Sequence, residues 1–334
     1  MKLRVPLIIG ASLIGVGLIT SVSVLAIKQF DFKGFDSNVV SKTYDITEEF
    51  TSIDVDLTSS DFNIYLSNDG TNKAVCLEKE NITFEVKVEE NTLKIIEHYD
   101  YEFSLLPSFT EIDVSLFVSK DVYETLNVLT TSGDVNITDS FTFNDVNIDV
   151  TTGDVLFDAK ANNNIQIKST TGDIGLYKVM GNNLTVNVST GDVDIVESKL
   201  TGNVDIKVTT GDIEIEDLSC NDLKCKSTTG DRELSDITCN NINIESTTGM
   251  SKLDNVVASG DINIKSGSGD ITLEHSDAKN IYIEATSGDV SGTILTDKIF
   301  NASSTSGDVR VPSSNTGGIC QIKTTSGDIN ISIK

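Results

Sequence analysis

The sequence predicts an all-β chain wound as a three-sided parallel β-solenoid, with a right-handed β-helix favoured and an N-terminal transmembrane helix ahead of it. Three observations point there. The phrase "TTSGDVNI" at residues 131–138 returns as "TTGDVLF", "TTGDIGL" and "STGDVDI", and its glycine occurs eleven times from Gly133 to Gly327, every 19 or 20 residues. A fixed period of that size marks a stacked repeat. Between the glycines apolar and polar residues alternate, as in strands that bury one face. Finally, residues 5–27 carry no charge.

Taken in order, residues 1–4 form a short cytoplasmic N-terminus and residues 5–27 a membrane anchor. As a helix the apolar run spans roughly 34 Å, enough for a hydrocarbon core of about 30 Å. Lys2 and Arg4 precede it, which keeps that end inside the cell and sends the rest outside. A cleaved signal peptide is the competing reading, because Val24-Leu25-Ala26 resembles a cleavage site. Residues 28–45 read as a juxtamembrane linker. Residues 46–128 read as a β-rich cap and early coils: "IDVDLTSSDFNIYL" (53–66) is a worn repeat with Ser60 in place of glycine, "FEVKVEENTLKII" (84–96) a hairpin around Glu90-Asn91, and "EIDVSLFVSKD" (111–121) a further strand. Solenoids need such caps to protect an open end.

Residues 129–334 are the regular coils. In "GDIEIEDLSCNDLKCKSTT" (211–229) the inward residues are Ile213 and Ile215, Leu218 and Cys220, Leu223 and Cys225. Three apolar pairs give three sides, and nineteen residues give a perimeter near ~60 Å. The repeated phrase is then a corner, where glycine adopts a backbone conformation that a β-carbon resists.

Composition narrows the partners. The chain holds 25 basic and 51 acidic residues, a net charge of −26. Such a surface repels nucleic acid and anionic lipid. Five cysteines form no CxxC pair and there are two histidines, so neither a zinc site nor a thiol-redox motif is supported. Cys220 and Cys239 occupy equivalent places in successive coils, where side chains that point the same way favour free thiols over a disulfide.

The anchor, the irregular β-rich entry and the run of "T-x-G-D-[VI]-x-[VIL]" coils resemble the bacterial "putative adhesin" family, a domain of unknown function in envelope proteins. The resemblance covers residues 46–334. It implies a β-solenoid at the cell surface and a role near the envelope-stress response, and it implies no catalytic residues.

Two constellations stand out. Asp134, Asp154, Asp173, Asp192, Asp212, Asp231, Asp270, Asp289, Asp308 and Asp328 each follow a corner glycine, with Met250 interrupting the series. Stacked about 4.8 Å apart, neighbouring charges repel by roughly 0.9 kcal/mol each in water. Hydrogen bonds from backbone N–H groups to the carboxylates are the expected compensation; a column of Ca²⁺ ions is the alternative, and no other cofactor is indicated. Arg232 and Ser251 stand where other coils place Val or Ile. The plain expectation is a bulge that turns Arg232 outward toward Glu233 or Asp231, since an unpaired buried charge is costly. The sharper one is a ligand notch formed by Arg232, Met250 and Lys252.

The resulting functional expectation is a non-catalytic, membrane-tethered surface protein that binds an unknown protein or glycan, with self-association at a C-terminal tip formed by the strand Ile329–Ile333. The alternative is a carbohydrate-active β-helix enzyme acting on acidic polysaccharide. It is disfavoured because Arg232 and Arg310 are the only arginines in the repeats and His275 the only histidine.

Overall fold

The structure, a computed structural model, describes residues 39–100, 112–138 and 141–334. Every regular element among them is a strand. The expected membrane anchor at residues 5–27 lies outside the described residues. No helix among the described residues is long and apolar enough to cross a membrane.

From residue 122 onward all strand pairing is parallel, and as far as Ile271–Ser287 each coil sits one repeat above the last. Strand Ile213–Ser219 pairs with Arg232–Cys239, and Asp222–Thr229 pairs with Asn241–Thr248, each in a 19-residue register. Ile213, Ile215, Leu218, Leu223 and Cys225 are buried, as the alternation requires. Each forms a column with its equivalents, for example Val204, Leu223, Ile242 and Ile262. Coils are therefore held by a ladder of backbone bonds around a continuous apolar stack, and each stabilises its neighbours.

The glycine corner has two causes. At Gly211 φ is +139°, a value that L side chains rarely adopt, and an added β-carbon would lie 2.0 Å from the Gly191 carbonyl oxygen below. A second corner was not foreseen. Lys178, Glu197, Asp217, Asp236, Asn255 and His275 all have φ near +50° and stack in one column between the two short sides. Non-glycine residues take this conformation at a cost of about 1–2 kcal/mol, here offset by the inward turn of the next apolar residue, such as Leu218 after Asp217.

At both ends, spatial order departs from chain order. The worn repeat lies inside the stack: Ser52–Leu57 pairs in parallel with Val122–Ser132 on one edge and with Thr92–Tyr99 on the other. Asp61–Leu66 likewise lies between Val135–Ile137 and Asp113–Val118. Outside these strands the pairing turns antiparallel. Ile82–Glu89 closes on Thr92–Tyr99 through Glu90-Asn91, with φ of 50° and 61°, which fits a tight two-residue hairpin. Asn72–Glu78 covers Asp113–Val118, and Val40–Ile46 covers Asn72–Glu78.

The C-terminal end corrects the sequence expectation. The strand Ile329–Ile333 is not the tip. It pairs with Val290–Ile294 on one edge and Val309–Arg310 on the other. Likewise Gly318–Ser326 is inserted between Ile271–Ser287 and Lys298–Ser306. The chain thus travels out to the last coil at 298–310, then steps back to fill the gap it left. At the crossing Gly317 has φ +91°, and a β-carbon there would lie 1.7 Å from the Asp297 carbonyl oxygen on the outgoing segment. Sequence order failed as a guide because parallel strand edges are interchangeable: their backbone bonds carry no side-chain identity.

Candidate functional site

The aspartate ladder is built from corner geometry. Each carboxylate except that of Asp308, at the end of the stack, accepts the backbone N–H of the equivalent residue in the next coil. Asp154 N–H donates to Asp134 Oδ1 at 2.8 Å, Asp173 to Asp154 at 2.8 Å, Asp192 to Asp173 at 2.8 Å and Asp212 to Asp192 at 2.7 Å. The series continues from Asp231 N–H to Asp212 at 2.6 Å and from Met250 N–H to Asp231 at 2.7 Å. Beyond Met250 it resumes, Asp289 N–H donating to Asp270. It then follows spatial order, from Asp328 N–H to Asp289 and from Asp308 N–H to Asp328. The expected compensation for the stacked charges is thus present, one charge-assisted bond per rung. Among the described residues no group of three or more His, Cys, Asp or Glu side chains could hold a metal ion.

Arg232 reverses expectation. Its side chain points inward and is fully buried. Nη1 donates to Ser227 Oγ at 2.8 Å and to the Gly230 carbonyl at 2.5 Å. Nη2 donates to the Gly249 carbonyl at 2.5 Å and to Ser251 Oγ at 3.0 Å, and Nε donates to Ser251 Oγ at 3.1 Å. Burial lowers its pKa, but a guanidinium stays charged in proteins. The penalty of a buried cation is met by hydroxyl and carbonyl acceptors, so no bulge is needed. A serine at 251 is the complement of an arginine at 232, one coil above in the same column.

The expected notch is not assembled. Met250 sits exposed on the corner. Lys252 lies on the outer face, where its ammonium bonds Glu233 at 2.6 Å. The hydrogen bond to Glu233 raises the Lys252 pKa. Arg232 and Lys252 thus face opposite sides of the sheet.

The cysteines stay thiols. Cys220 and Cys239 stack with sulfurs 3.1 Å apart, and their hydrogen bond raises the Cys220 pKa. Cys225 and Cys320 are core residues as expected; burial pushes each thiol up to about 12.

One surface feature escaped sequence reasoning. On the long side of the coil Lys207, Lys226, Glu245 and Lys265 form one outward column. They border an open groove of about 420 Å³ with Thr228 and Thr247 along one rim. Lys226 bonds Glu245 at 2.5 Å and holds its carboxyl below the usual range. Among the described residues Lys207 and Lys265 make no ion pair within 4.0 Å. On a chain with a net charge of −26 this is a local reversal of sign. The signal was the repeat spacing itself, since Lys207 and Lys226 lie 19 residues apart and Lys226 and Lys265 two coils apart.

Among solved structures the similarity is distant. A putative adhesin from Bacteroides fragilis is 16% identical, with a TM-score of 0.41, covering 89% of this chain and 98% of that one. A putative lipid binding protein from Parabacteroides distasonis gives the same identity, TM-score and coverage. Likeness this distant assigns no ligand. No curated protein matches the chain. The family comparison is of another order: Toastrack DUF4097 matches residues 44–238 and again 216–334, so the two matches together take in the cap, every corner glycine and the whole ladder. The chain belongs to the Toastrack DUF4097 family.

Proposed function

We propose that the chain is a non-catalytic interaction protein of the cell surface, tethered through residues 5–27 and acting without a cofactor. The solenoid presents its flank to a protein or glycan partner outside the cell, in a role linked to the envelope-stress response. The observation that carries this reading is the contrast between ladder and groove. The ladder aspartates are committed to holding coils together, whereas Lys207 and Lys265 face solvent uncommitted beside Glu245. A partner with carboxylate or phosphate groups fits that column, because desolvated charge pairs confer specificity.

The test is a pull-down from native membranes with the intact chain, alongside a variant carrying Lys207→Glu, Lys226→Glu and Lys265→Glu. Protease shaving of intact cells reports the location. Recovery of the chain in the cytosolic fraction would overturn the tethered reading. Identical partners for both chains would remove the groove from it.

A further inference from the structure

The two ends of the solenoid are finished differently. At the N-terminal end the outermost strand on the long side is Ile82–Glu89, and it carries Glu85, Lys87 and Glu89. Lys87 bonds Glu85 and Glu89 at 2.9 Å each. Charges along an edge strand discourage pairing with another chain. At the other end the outermost long strand is Lys298–Ser306, sequence "KIFNASSTS". Its single charge, Lys298, is turned inward and bonded to Asp277 at 2.6 Å. Among the described residues it pairs only with Gly318–Ser326.

Among the described residues the apolar stack also ends uncovered there. In the column Val290, Ile329, Val309 the first two are fully buried while Val309 is 40% exposed. Phe300 and Ala302 close the columns above Cys320 and Ile322 and are only partly buried. Of eleven exposed large hydrophobic residues among the described ones, four lie within residues 295–319: Leu295, Ile299, Val309 and Ile319. That stretch is also electrically balanced, with Asp297 and Asp308 against Lys298 and Arg310.

We propose that this tip docks a second copy of the same chain, end to end, with the two Lys298–Ser306 strands running antiparallel across a two-fold axis. A two-fold places a strand edge against itself in the antiparallel sense. Leu184, the register equivalent of Phe300, donates its N–H to the Asn203 carbonyl of the next coil; backbone groups alternate sides along a strand, so those of Phe300, Ala302 and Ser304 face the free edge. Electrostatics selects the second copy's orientation. Two chains of charge −26 side by side would set acidic flanks within about 8 Å, the screening length at physiological salt. Joined at the neutral tip they keep those flanks apart. The inference is independent of the flank reading above.

Sedimentation velocity on the full chain in mild detergent, over a wide concentration range, tests it. The wild type forms a dimer. Ala302→Pro removes an edge donor that pairs with no other described strand, and Val309→Asp places a charge on the exposed end of the stack. Each weakens dimerisation at least tenfold with an unchanged melting midpoint, whereas Thr185→Asp on a flank leaves dimerisation intact. A wild type that stays monomeric throughout, as it would if the tip served a different partner, overturns the proposal. So does a dimer that survives both tip substitutions.

Discussion

Two successive coils solve the same packing problem in opposite ways. Ile213 and Arg232 are register partners at the same inward position, and both are fully buried. On its lower side Ile213 meets apolar residues: Val193 lies below it and Val208 precedes its corner. Around Arg232 the surroundings turn polar together. Val208 gives way to Ser227 in the column before the corner, and Ser251 lies above. The carbonyls of Gly230 and Gly249, which end every coil, supply the remaining acceptors. The interior of a solenoid thus accepts a charge where adjacent coils change with it. What decides tolerance is the acceptors around a position, since desolvation costs the same in either coil.

The largest effect should come from placing a charge where no acceptors exist. Ile174→Asp, set between the buried Val155 and Val193, is expected to lower the unfolding free energy by about 3–5 kcal/mol, the range for an uncompensated buried charge. The denaturant midpoint reports it. A loss below about 1 kcal/mol would show that a regular coil relaxes around a charge, and the contrast with Arg232 would vanish.

A smaller loss is expected from repairing the column half-way. Ser251→Ile restores the apolar pattern but strips the acceptor of Nε and Nη2. Leaving donors of a charged group unsatisfied costs about 1–3 kcal/mol or somewhat more. The double variant Arg232→Ile with Ser251→Ile removes donor and acceptor together. It should recover the wild-type midpoint or exceed it, as buried ionic groups replaced by apolar ones often do. Additive losses in the two single variants and the double would refute the complementarity.

Thiol chemistry sharpens the comparison locally. Cys225 is buried near Arg232, and burial pushes its pKa up to about 12 despite the nearby cation. At pH 8 almost none of it is thiolate, the reactive form. Alkylation of Cys225, followed by peptide mass spectrometry, should therefore be slow in the native chain and fast after unfolding. In the Ser251→Ile variant it should accelerate several-fold, because labelling then follows local opening of the weakened coils. An unchanged rate would mean that the damage does not reach the long side.

Much of this was legible in the sequence, for a physical reason. Gly211 and Ile213 obey constraints that every coil repeats, a corner too tight for a β-carbon and an inward face that excludes water. Repetition turns such constraints into a period. The ladder was legible likewise, since each aspartate meets the same backbone donor one coil on. Arg232 was found as an exception but assigned the wrong direction, because its acceptors lie in three different coil segments and two of them are carbonyls that any residue would supply. The shift from Val208 to Ser227 was the available sign. The column of left-handed corners from Lys178 to His275 had no shared residue type to betray it. The exchanged coil order at the tip was hidden by the unbroken period, although "VPSSNTGG" at 311–318, with a proline and a Gly-Gly pair, marks a departure from strand alternation.

The smallest expected effect concerns the missing rung. Met250 donates its N–H to Asp231 but offers no carboxylate to the N–H of Asp270, the next ladder residue in chain order. Met250→Asp would supply that acceptor, worth about 0.5–1.5 kcal/mol. It would also set a third charge between Asp231 and Asp270, at a cost of about 0.9 kcal/mol per neighbour before screening. The two terms nearly cancel at low ionic strength. Salt weakens the repulsion between exposed carboxylates much more than it weakens a short hydrogen bond. The variant should therefore match the wild type in dilute buffer and gain about 1 kcal/mol near molar salt, read as a rising difference between the two melting midpoints. The gain should be larger than for an aspartate added on a flank, because the buried guanidinium of Arg232 lies beneath the same corner, bonded to the Gly249 carbonyl. If the difference falls or stays flat with salt, the ladder is held by the glycine corners alone, and its aspartates only tolerate one another.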